Sequence, residues 1–563
     1  MPSQDLELTP THQPEYVVRR AAAGLPVGTI ATLALLLLVG CWLRVARLDQ
    51  QLIGDDEVHL LRAALRTPFP QILYTYDSRD YSPPMAGLAR AWLLATGRLP
   101  VTFLRVIPLT AGIGLLFACC VWARRMLATP TLVVWIGLLA TSPWLIAYSR
   151  IGRSYAPLAA LAVASCLATA RWVDSRSPFA GLAATLLLAL ALWFHPLALA
   201  LGLGCLVGAS LSRRASTGRR SSFSQLATAV VVYLLSTALF LLPGWPSLSA
   251  TLLRRAGRGQ LSLLSLSEAA RLLCGHSSWL VCGPVFLAAI VALGLALRRR
   301  SSLAIVIACQ SLCLFGAVVF SNPSGASDPL PVARYLLALA PWLLLGPASI
   351  AGWAWERAQS RQERTALVLV LLFCMTAMVV TGPLAREEIR YTSLMHHPEM
   401  LRFTRPLPSV DSMPLPPSYR VLASQQGAVI EFPWWYVWKT AGNSLHSQRV
   451  HHLPLFASVP EGPLSNPRVV GPTLIFPDPN AWLASSARWL VLHADSVGDE
   501  LRLALWKDPS RSISRFDRAT QDSFIRRAEE MALRLEREWG PADISDDRIR
   551  VWDLVRVRSG LRR

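Results

Sequence analysis

Three consecutive carboxylates are the first residues in this sequence whose types and spacing could do chemistry. Asp55, Asp56 and Glu57 come shortly after the first long apolar run, residues 27–43. An acid held beside a bilayer is costly, so such a cluster at the end of a membrane-crossing run is a candidate site. A carboxylate can take a proton from an attacking hydroxyl or bind a divalent cation, Mg²⁺ or Mn²⁺. The alternative is an ordinary solvated loop with three surface acids.

Arginine, tyrosine and histidine residues at the ends of later apolar runs form a second group of candidates. A guanidinium binds phosphate oxygens through two parallel hydrogen bonds. Each arginine taken singly could instead extend its charged end toward the lipid headgroups. Acids and arginines at one membrane face favour a reaction in which a carboxylate activates a hydroxyl and cations stabilise a departing phosphate. The candidates for binding a lipid phosphate or its sugar are Arg105, Arg150, Arg153, Tyr155, His195, Arg334 and Tyr335, and Asp77, Asp80 and Asp328 lie in the same predicted loops.

The composition places these residues in a membrane protein. Of the 563 residues, 53% are hydrophobic and only 16% are charged, whereas soluble globular chains have roughly 25% charged residues. Repeated apolar runs long enough to span a bilayer, most of them ended by arginines, predict a polytopic α-helical protein with about eleven transmembrane helices. The predicted spans are 27–43, 101–122, 129–147, 155–172, 179–194, 197–212, 226–243, 279–297, 302–320, 333–353 and 365–383.

The positive charge of the chain has a topological explanation. The net charge is +20 and the pI is about 10.3, and arginines are concentrated in alternate loops, as in cytoplasmic loops of membrane proteins. Because no Lys/Arg-rich soluble module with interleaved aromatic residues is present, nucleic-acid binding is excluded. The pattern predicts a multi-pass protein of the inner (cell) membrane, with the acidic cluster on the extracytoplasmic side. The basic loops contain Arg124 and Arg125, Arg171 and Arg176, Arg213 to Arg220, Arg298 to Arg300, and Arg357 to Arg364.

The chain divides into four predicted parts. Residues 1–26 form a cytoplasmic N-terminal tail before an uncleaved anchor, and residues 27–383 form the transmembrane domain with its first extracytoplasmic loop at 48–99. In that loop, Val58, Leu61 and Leu65 recur at helical spacing, which predicts a short helix lying on the membrane surface. A Pro-rich linker, 384–417, precedes an extracytoplasmic α/β domain at 418–563 that is long enough to bury its own core. Its predicted strands are 421–432, 489–493 and 548–557, and its predicted helix is 524–539.

Three further groups of residues are possible functional signals: aromatic residues, histidines and cysteines. The aromatic stretch 432–438 could stack on sugar rings, although a core or membrane-interface position is favoured. The histidines His396, His397, His446, His451 and His452 lack a regular metal-ligand spacing. All ten cysteines lie at or before Cys374, nearly all in apolar runs, and are interpreted as buried thiols. Cys274 and Cys282 flank one loop and could pair, although free thiols are favoured.

Four segments, in order along residues 27–350, resemble the GT-C membrane glycosyltransferases, in particular the branch with protein O-mannosyltransferases and lipid A aminoarabinose transferases. Gly54-Asp55-Asp56-Glu57-Val58-His59 resembles the first-loop Asp-Glu motif of that family, with Asp56 and Glu57 in its two positions. Tyr81-Ser82-Pro83-Pro84-Met85 resembles its Pro-Pro-Leu step, and Arg105 falls where an arginine usually follows. Ser142-Pro143 through Arg153-Ser154-Tyr155, and Ala333-Arg334-Tyr335-Leu336 with Pro341, resemble two later motifs.

The resemblance implies a glycosyltransferase that uses a polyprenyl-phosphate sugar donor and inverts the anomeric carbon. It assigns Asp56 as the catalytic base, with Asp55 as the alternative because the extra aspartate leaves the register open by one residue. Glu57 would hold the acceptor, a metal or a neighbouring side chain, and Arg150, Arg153 and Arg334 would bind the lipid phosphate. The sequence departs from the family where Ile151-Gly152 replaces an acidic residue often found between the two arginines.

The sequence therefore predicts transfer of a sugar from a polyprenyl-phosphate donor to an extracytoplasmic acceptor, which could be a glycan, a lipid or a protein. Two alternatives stay open. A transporter or flippase of a lipid-linked saccharide would place more charges near mid-membrane and often contains paired repeats, and no clear repeat is visible in the sequence. A non-catalytic membrane scaffold would depend on the C-terminal domain rather than on the acidic cluster.

Overall fold

A computed structural model describes much of the chain. The described residues are 26–46, 48, 55–74, 82–97, 99–216, 223–257, 261–276, 278–323, 326, 329–381, 418–422, 424–426, 429–432, 468–470, 473–475, 479–485, 487–493, 518–545 and 549–561. Asp77, Asp80 and Asp328, the five candidate histidines and the aromatic stretch after Phe432 lie outside this part. The predicted domain boundaries at 26, 383 and 417 stay predictions.

Helices account for nearly all of the described chain up to residue 381. The first nine helices are α1 Val27–Val45, α2 Asp55–Arg66, α3 Phe69–Tyr74, α4 Pro83–Thr96, α5 Val101–Leu104, α6 Val106–Ala123, α7 Thr129–Thr141, α8 Pro143–Ser149 and α9 Tyr155–Ser175. The second group completes the bundle: α10 Pro178–Phe194, α11 Ala198–Ser216, α12 Phe223–Leu241, α13 Trp245–Arg255, α14 Leu263–Cys274, α15 Trp279–Arg298, α16 Ser302–Ser321, α17 Pro329–Tyr335, a 3₁₀ turn Leu337–Leu339, α18 Ala340–Arg357 and α19 Arg361–Thr381.

A helix lies at each of the eleven predicted spans, and the polytopic helical fold is confirmed. Within the described part, six helices are long and apolar enough to cross a membrane, and the count is seven if α7 and α8, bent by 56° at their junction, are taken together as one span. The bend follows from Pro143, which cannot continue the helix of the preceding residues. The predicted single span 129–147 is thus two helices, and the start of the predicted span 101–122 is the separate short helix α5.

The core of the bundle is built around α9. In its most apolar 18-residue window, 83% of the residues are buried, against 11% for the peripheral helix α15. Small residues bring neighbouring backbones together, as is common between membrane helices. A Cβ added to Gly204 of α11 would lie 2.4 Å from the Cα atom of Gln310 in α16. The Gln310 side chain donates to the carbonyl of Ala162 and accepts from Trp342 Nε1, each at 3.2 Å.

The first loop forms a small core of its own beside the bundle. Helix α2 is present as predicted. Leu65 is 47% exposed, whereas Leu60 and Ala64 are buried. These residues pack with Ile72 of α3 and Met85 of α4. Leu60 and Ala64 lie on the same helical face as Glu57, so this face turns the third carboxylate of the cluster inward.

The C-terminal region contains a mixed four-stranded sheet. Strand β1 Val429–Phe432 pairs in parallel with β4 Trp489–His493, which pairs antiparallel with β6 Ile549–Asp553, and β6 pairs antiparallel with β5 Ile544–Ser545. The other described elements are α20 Ser418–Leu422, the hairpin β2 Arg468–Val470 with β3 Thr473–Ile475, α21 Pro479–Ala484, α22 Arg518–Trp539 and α23 Leu554–Leu561.

Apolar side chains cover both faces of this sheet. Ile430, Leu490 and Trp552 pack with Leu535 and Trp539 of α22. The opposite face contacts Leu422 of α20. Because α20 ends at Leu422, the predicted strand 421–432 starts with a helical turn. The predicted strand 548–557 becomes helical at Leu554.

Candidate functional site

Glu57 is fixed by a buried ion pair with Arg105. The Nε and Nη2 atoms of Arg105 donate to Oε1 and Oε2 of Glu57, both at 2.7 Å, and both side chains are 0% exposed. Arg105 lies at the junction of α5 and α6, and its Nη1 also donates to the carbonyl of Leu48 at 3.0 Å. A two-pronged guanidinium–carboxylate pair has a defined geometry as well as a strong attraction. It therefore joins the start of α2 to the start of α6.

A backbone contact fixes Glu57 from a second side. The N–H of Gly152, in the loop between α8 and α9, donates to Glu57 Oε1 at 2.8 Å. A Cβ atom at Gly152 would lie 3.1 Å from the carbonyl oxygen of Leu104 and 3.3 Å from Glu57 Oε1, so a side chain there would crowd both. Since both oxygens of Glu57 are engaged by protein groups, the geometry favours a positioning role for it.

The first turn of α2 is therefore held against the loop 150–154. Asp55 and Asp56 are the two residues that precede Glu57 in that turn, and their side chains lie outside the described part. Carboxylates in the first turn of a helix are stabilised by the helix dipole and by the N–H groups there. The backbone thus brings the predicted base, Asp56 or Asp55, close to the loop that carries Arg150 and Arg153.

Arg150 interacts with the end of the first span. Its Nη1 donates to the carbonyls of Leu43 and Arg44 at 3.2 Å and of Ala46 at 2.7 Å. Burial and the nearby Arg105 charge lower the pKa of Arg150 to about 10, so it stays cationic at neutral pH. Arg150 therefore caps a helix C-terminus, in addition to any contact with a lipid phosphate.

Arg44 is a buried arginine that the sequence analysis did not single out. It is 0% exposed, and its guanidinium donates to the carbonyls of Gly40 (2.9 Å), Ala140 (3.1 Å) and Leu139 (3.1 Å). It thereby joins the last turn of α1 to the last turn of α7. One sequence signal could have revealed it, because an arginine at the predicted outer end of a span runs against the usual charge bias.

Four of the predicted residues form a second cluster of a cation and aromatic rings. The ring of Tyr155, the first residue of α9, lies 5.2 Å from the His195 ring and 6.1 Å from the Tyr335 ring, measured between centroids. The Cζ atom of Arg334 lies 5.8 Å from the Tyr155 centroid and 5.6 Å from the Tyr335 centroid, within the range of cation–π attraction. His195 Nδ1 accepts from the N–H of Leu197 at 3.1 Å.

A short segment links the two clusters. Gly152 contacts Glu57, and Tyr155 contacts the Arg334 cluster. Three peptide units separate these residues, so their Cα atoms lie at most about 11 Å apart. Arg153, between them, is buried. The structure therefore brings all of the predicted residues whose side chains it describes to one end of the bundle, although the role of each stays a prediction.

The described side chains do not form a metal-binding group. No cluster of three or more His, Cys, Asp or Glu residues occurs in the described part of the chain. Glu57 is a poor candidate ligand because Arg105 and Gly152 engage its oxygens. Asp55 and Asp56 are the acids that could hold Mg²⁺ or Mn²⁺, which prefer carboxylate oxygen ligands.

The fold and this arrangement define a polytopic membrane protein of the GT-C glycosyltransferase fold. Among solved structures, the chain is similar to ArnT from Cupriavidus metallidurans bound to undecaprenyl phosphate, with 13% identity, a TM-score of 0.50, and coverage of 86% of this chain and 95% of that chain. It also matches the oligosaccharyltransferase AglB from Archaeoglobus fulgidus in complex with an inhibitory peptide and a dolichol-phosphate, with 11% identity, a TM-score of 0.43, and coverage of 85% and 71%. No profile of a known protein family and no curated protein sequence matches the chain. The ArnT match confirms the fold that the sequence resemblance predicted.

Proposed function

We propose that this protein transfers a sugar from a polyprenyl-phosphate donor to an acceptor on the extracytoplasmic side of the membrane, with inversion at the anomeric carbon. The observation that carries the proposal is the docking of Glu57 onto Arg105 and the Gly152 N–H. This contact holds the first turn of α2, and with it Asp56, against the segment that leads to Tyr155 and Arg334. The ArnT structure contains undecaprenyl phosphate, which supports a lipid phosphate here.

In the proposed reaction, Asp56 takes the proton from the acceptor hydroxyl as the oxygen attacks the anomeric carbon. The bond from that carbon to the phosphate oxygen breaks, and the polyprenyl phosphate leaves with the bonding electron pair. Arg334 and Arg153 would stabilise the negative charge that develops on the phosphate. Tyr155, His195 and Tyr335 would line the same end, where an aromatic face can contact a sugar ring.

The orientation of the bundle supports an extracytoplasmic reaction. Helix α6 starts at Arg105 and ends before Arg124, and α9 starts at Tyr155 and ends before Arg176. Helices α11 and α18 likewise run from the His195 and Tyr335 side to basic ends. Because basic loops mark the cytoplasmic side, the candidate site would face outward. The N-terminus would then be cytoplasmic and the C-terminal α/β region extracytoplasmic.

The test is release of polyprenyl phosphate by the purified protein from a panel of polyprenyl-phosphate sugars. Asp56→Asn should lower the rate at least about a hundredfold, as loss of a general base typically does, and Asp55→Asn tests the alternative register. Asp174→Asn is the matched control, because Asp174 lies near the far end of α9, hydrogen-bonded to Ser302. A fully active Asp56→Asn, Asp55→Asn pair of variants would contradict the proposed base.

Two further arms of this assay separate the open alternatives. Loss of activity with a chelator and its recovery with Mn²⁺ would assign the aspartates to a metal, whereas unchanged activity would assign them to proton transfer alone. Movement of a labelled lipid-linked sugar across reconstituted vesicles, without transfer to any acceptor, would overturn the enzyme proposal in favour of a transporter.

A further inference from the structure

Cys274 and Cys282 lie on opposite sides of a short buried loop. Cys274 is the last residue of α14, and Cys282 lies in the first turn of α15. Cys274 and Cys282 are 2% and 0% exposed, and they belong to one small apolar cluster with Val285. The Cys274 Sγ lies 4.0 Å from the carbonyl oxygen of Cys282, and the Cys282 Sγ lies 3.2 Å from that of His276.

The two thiols are direct neighbours. The hydrogen bond that the Cys274 thiol donates to the Cys282 sulfur, together with burial, raises the pKa of Cys274 well above its ordinary value. The start of the loop is tightly packed, because a Cβ atom at Gly275 would lie 2.7 Å from Cδ of Pro143. Gly275 also has a φ of 81°, a backbone conformation that favours glycine. Helix α14 also packs against α17, which carries Arg334.

The location of this loop decides its chemical environment. Helix α15 begins just after the loop and ends at the basic residues Arg298 to Arg300, so the loop lies at the end of α15 away from a predicted cytoplasmic loop. Disulfides persist in the oxidising space outside the cytoplasm. Cys309 and Cys313, by contrast, lie one helical turn apart within α16.

We propose that Cys274 and Cys282 form a disulfide bond that fastens the end of α14 to the start of α15. In this step each thiol gives up its hydrogen, an S–S bond forms, and two electrons and two protons reduce an external disulfide, carried by an oxidase protein or a small molecule, to two thiols. The exchange proceeds through a mixed disulfide. The proposal does not depend on the transferase activity, only on the side of the membrane that the loop faces.

The test uses the full-length protein purified without reductant. The protein is incubated folded with oxidised glutathione, unfolded in detergent with light N-ethylmaleimide, then reduced and treated with isotopically heavy N-ethylmaleimide. Mass spectrometry should find the heavy label on Cys274 and Cys282 and the light label on Cys309 and Cys313. Light label on Cys274 and Cys282 after this oxidation would overturn the proposal.

Two variants keep the result specific to this pair. In Cys274→Ser, Cys282 should carry either the light label or, before reduction, a glutathione adduct, and a disulfide-linked peptide that joins Cys282 to a different cysteine would overturn the assignment. Reductant should lower the apparent Tm of the unmodified protein by a few degrees, because a disulfide restricts the unfolded chain. It should leave the Tm of the Cys274→Ser, Cys282→Ser double variant unchanged.

Discussion

Removing the carboxylate of Glu57 should both destabilise the protein and displace its first acidic turn. At least three hydrogen bonds end on this side chain, two of them from the Arg105 guanidinium and one from the Gly152 N–H. Both charged groups are fully buried, and loss of one partner of a buried ion pair costs about 3–5 kcal/mol because the other charge is left uncompensated. We therefore expect Glu57→Ala to lower the free energy of unfolding by about that amount.

The inactivation half-life of the protein in detergent measures this effect, because membrane proteins often unfold irreversibly. A loss of about 3 kcal/mol expressed entirely in the unfolding barrier would shorten the half-life by roughly a hundredfold. Glu57→Gln should lie between the parent and Glu57→Ala, since its amide oxygen still accepts one hydrogen bond. Transfer activity should fall in both variants, because a change at Glu57 displaces the first turn of α2 and with it Asp56, the residue before Glu57.

A double-mutant cycle separates the ion pair from a general packing defect. Glu57→Leu combined with Arg105→Met should be more stable than the sum of the two single effects by about 2 kcal/mol, because no buried charge is left alone. Glu268→Gln is the matched control, since Glu268 pairs with Arg271 at a partly exposed position where an ion pair contributes about 0–1 kcal/mol. Strict additivity of the two single effects would refute the reasoning.

Three further predictions follow from other contacts. Gly152→Ala should lower transfer several-fold with little change in Tm, because its Cβ would crowd the Leu104 carbonyl and Glu57; Gly114→Ala, whose Cβ meets nothing within 4 Å, is the control. Arg334→Met should raise the KM for the lipid donor at least about tenfold through loss of a two-pronged phosphate contact, and Arg334→Lys should recover only part of it; equal KM values in titrations of the donor would contradict a phosphate role. Gln310→Leu should lower the unfolding free energy by roughly 1 kcal/mol, because Trp342 Nε1 loses its acceptor, while the activity per folded molecule stays unchanged in a thermal-shift and turnover comparison.

The sequence predicted the helices well because their signal is local. Apolar runs and the arginines that follow them report where each span starts and ends, and the bundle has a helix at each predicted position. The internal breaks are not predicted by this signal: the apolar run 129–147 predicts one span, although Pro143 divides it into α7 and α8. The inward orientation of Glu57 on α2 is also not predicted, because a buried carboxylate needs the Arg105 guanidinium to neutralise it.

The candidate site was predictable in its membership but not in its pairings. The residue types and the sidedness of Glu57, Arg105 and Arg334 follow from the loops in which they lie. The contact between Glu57 and Arg105 spans 48 residues, and no local pattern specifies which arginine will meet which acid. Arg150 illustrates the same limit, because its bonds to the end of α1 depend on how two distant helices pack.

Arg150 binds carbonyls at the end of α1, and Arg44 binds carbonyls at the end of α7. These contacts have a consequence for how the chain is assembled during synthesis. The partners of Arg44 include the carbonyls of Leu139 and Ala140, and Arg150 in turn reaches the carbonyl of Ala46. The first hydrophobic anchor therefore leaves the ribosome long before its terminal arginine can find its acceptors. Until residues up to about 150 have been inserted, that guanidinium must stay with water or headgroups at the bilayer edge. A nascent chain cut short before this point would keep the Arg44 guanidinium without its acceptors on Leu139 and Ala140.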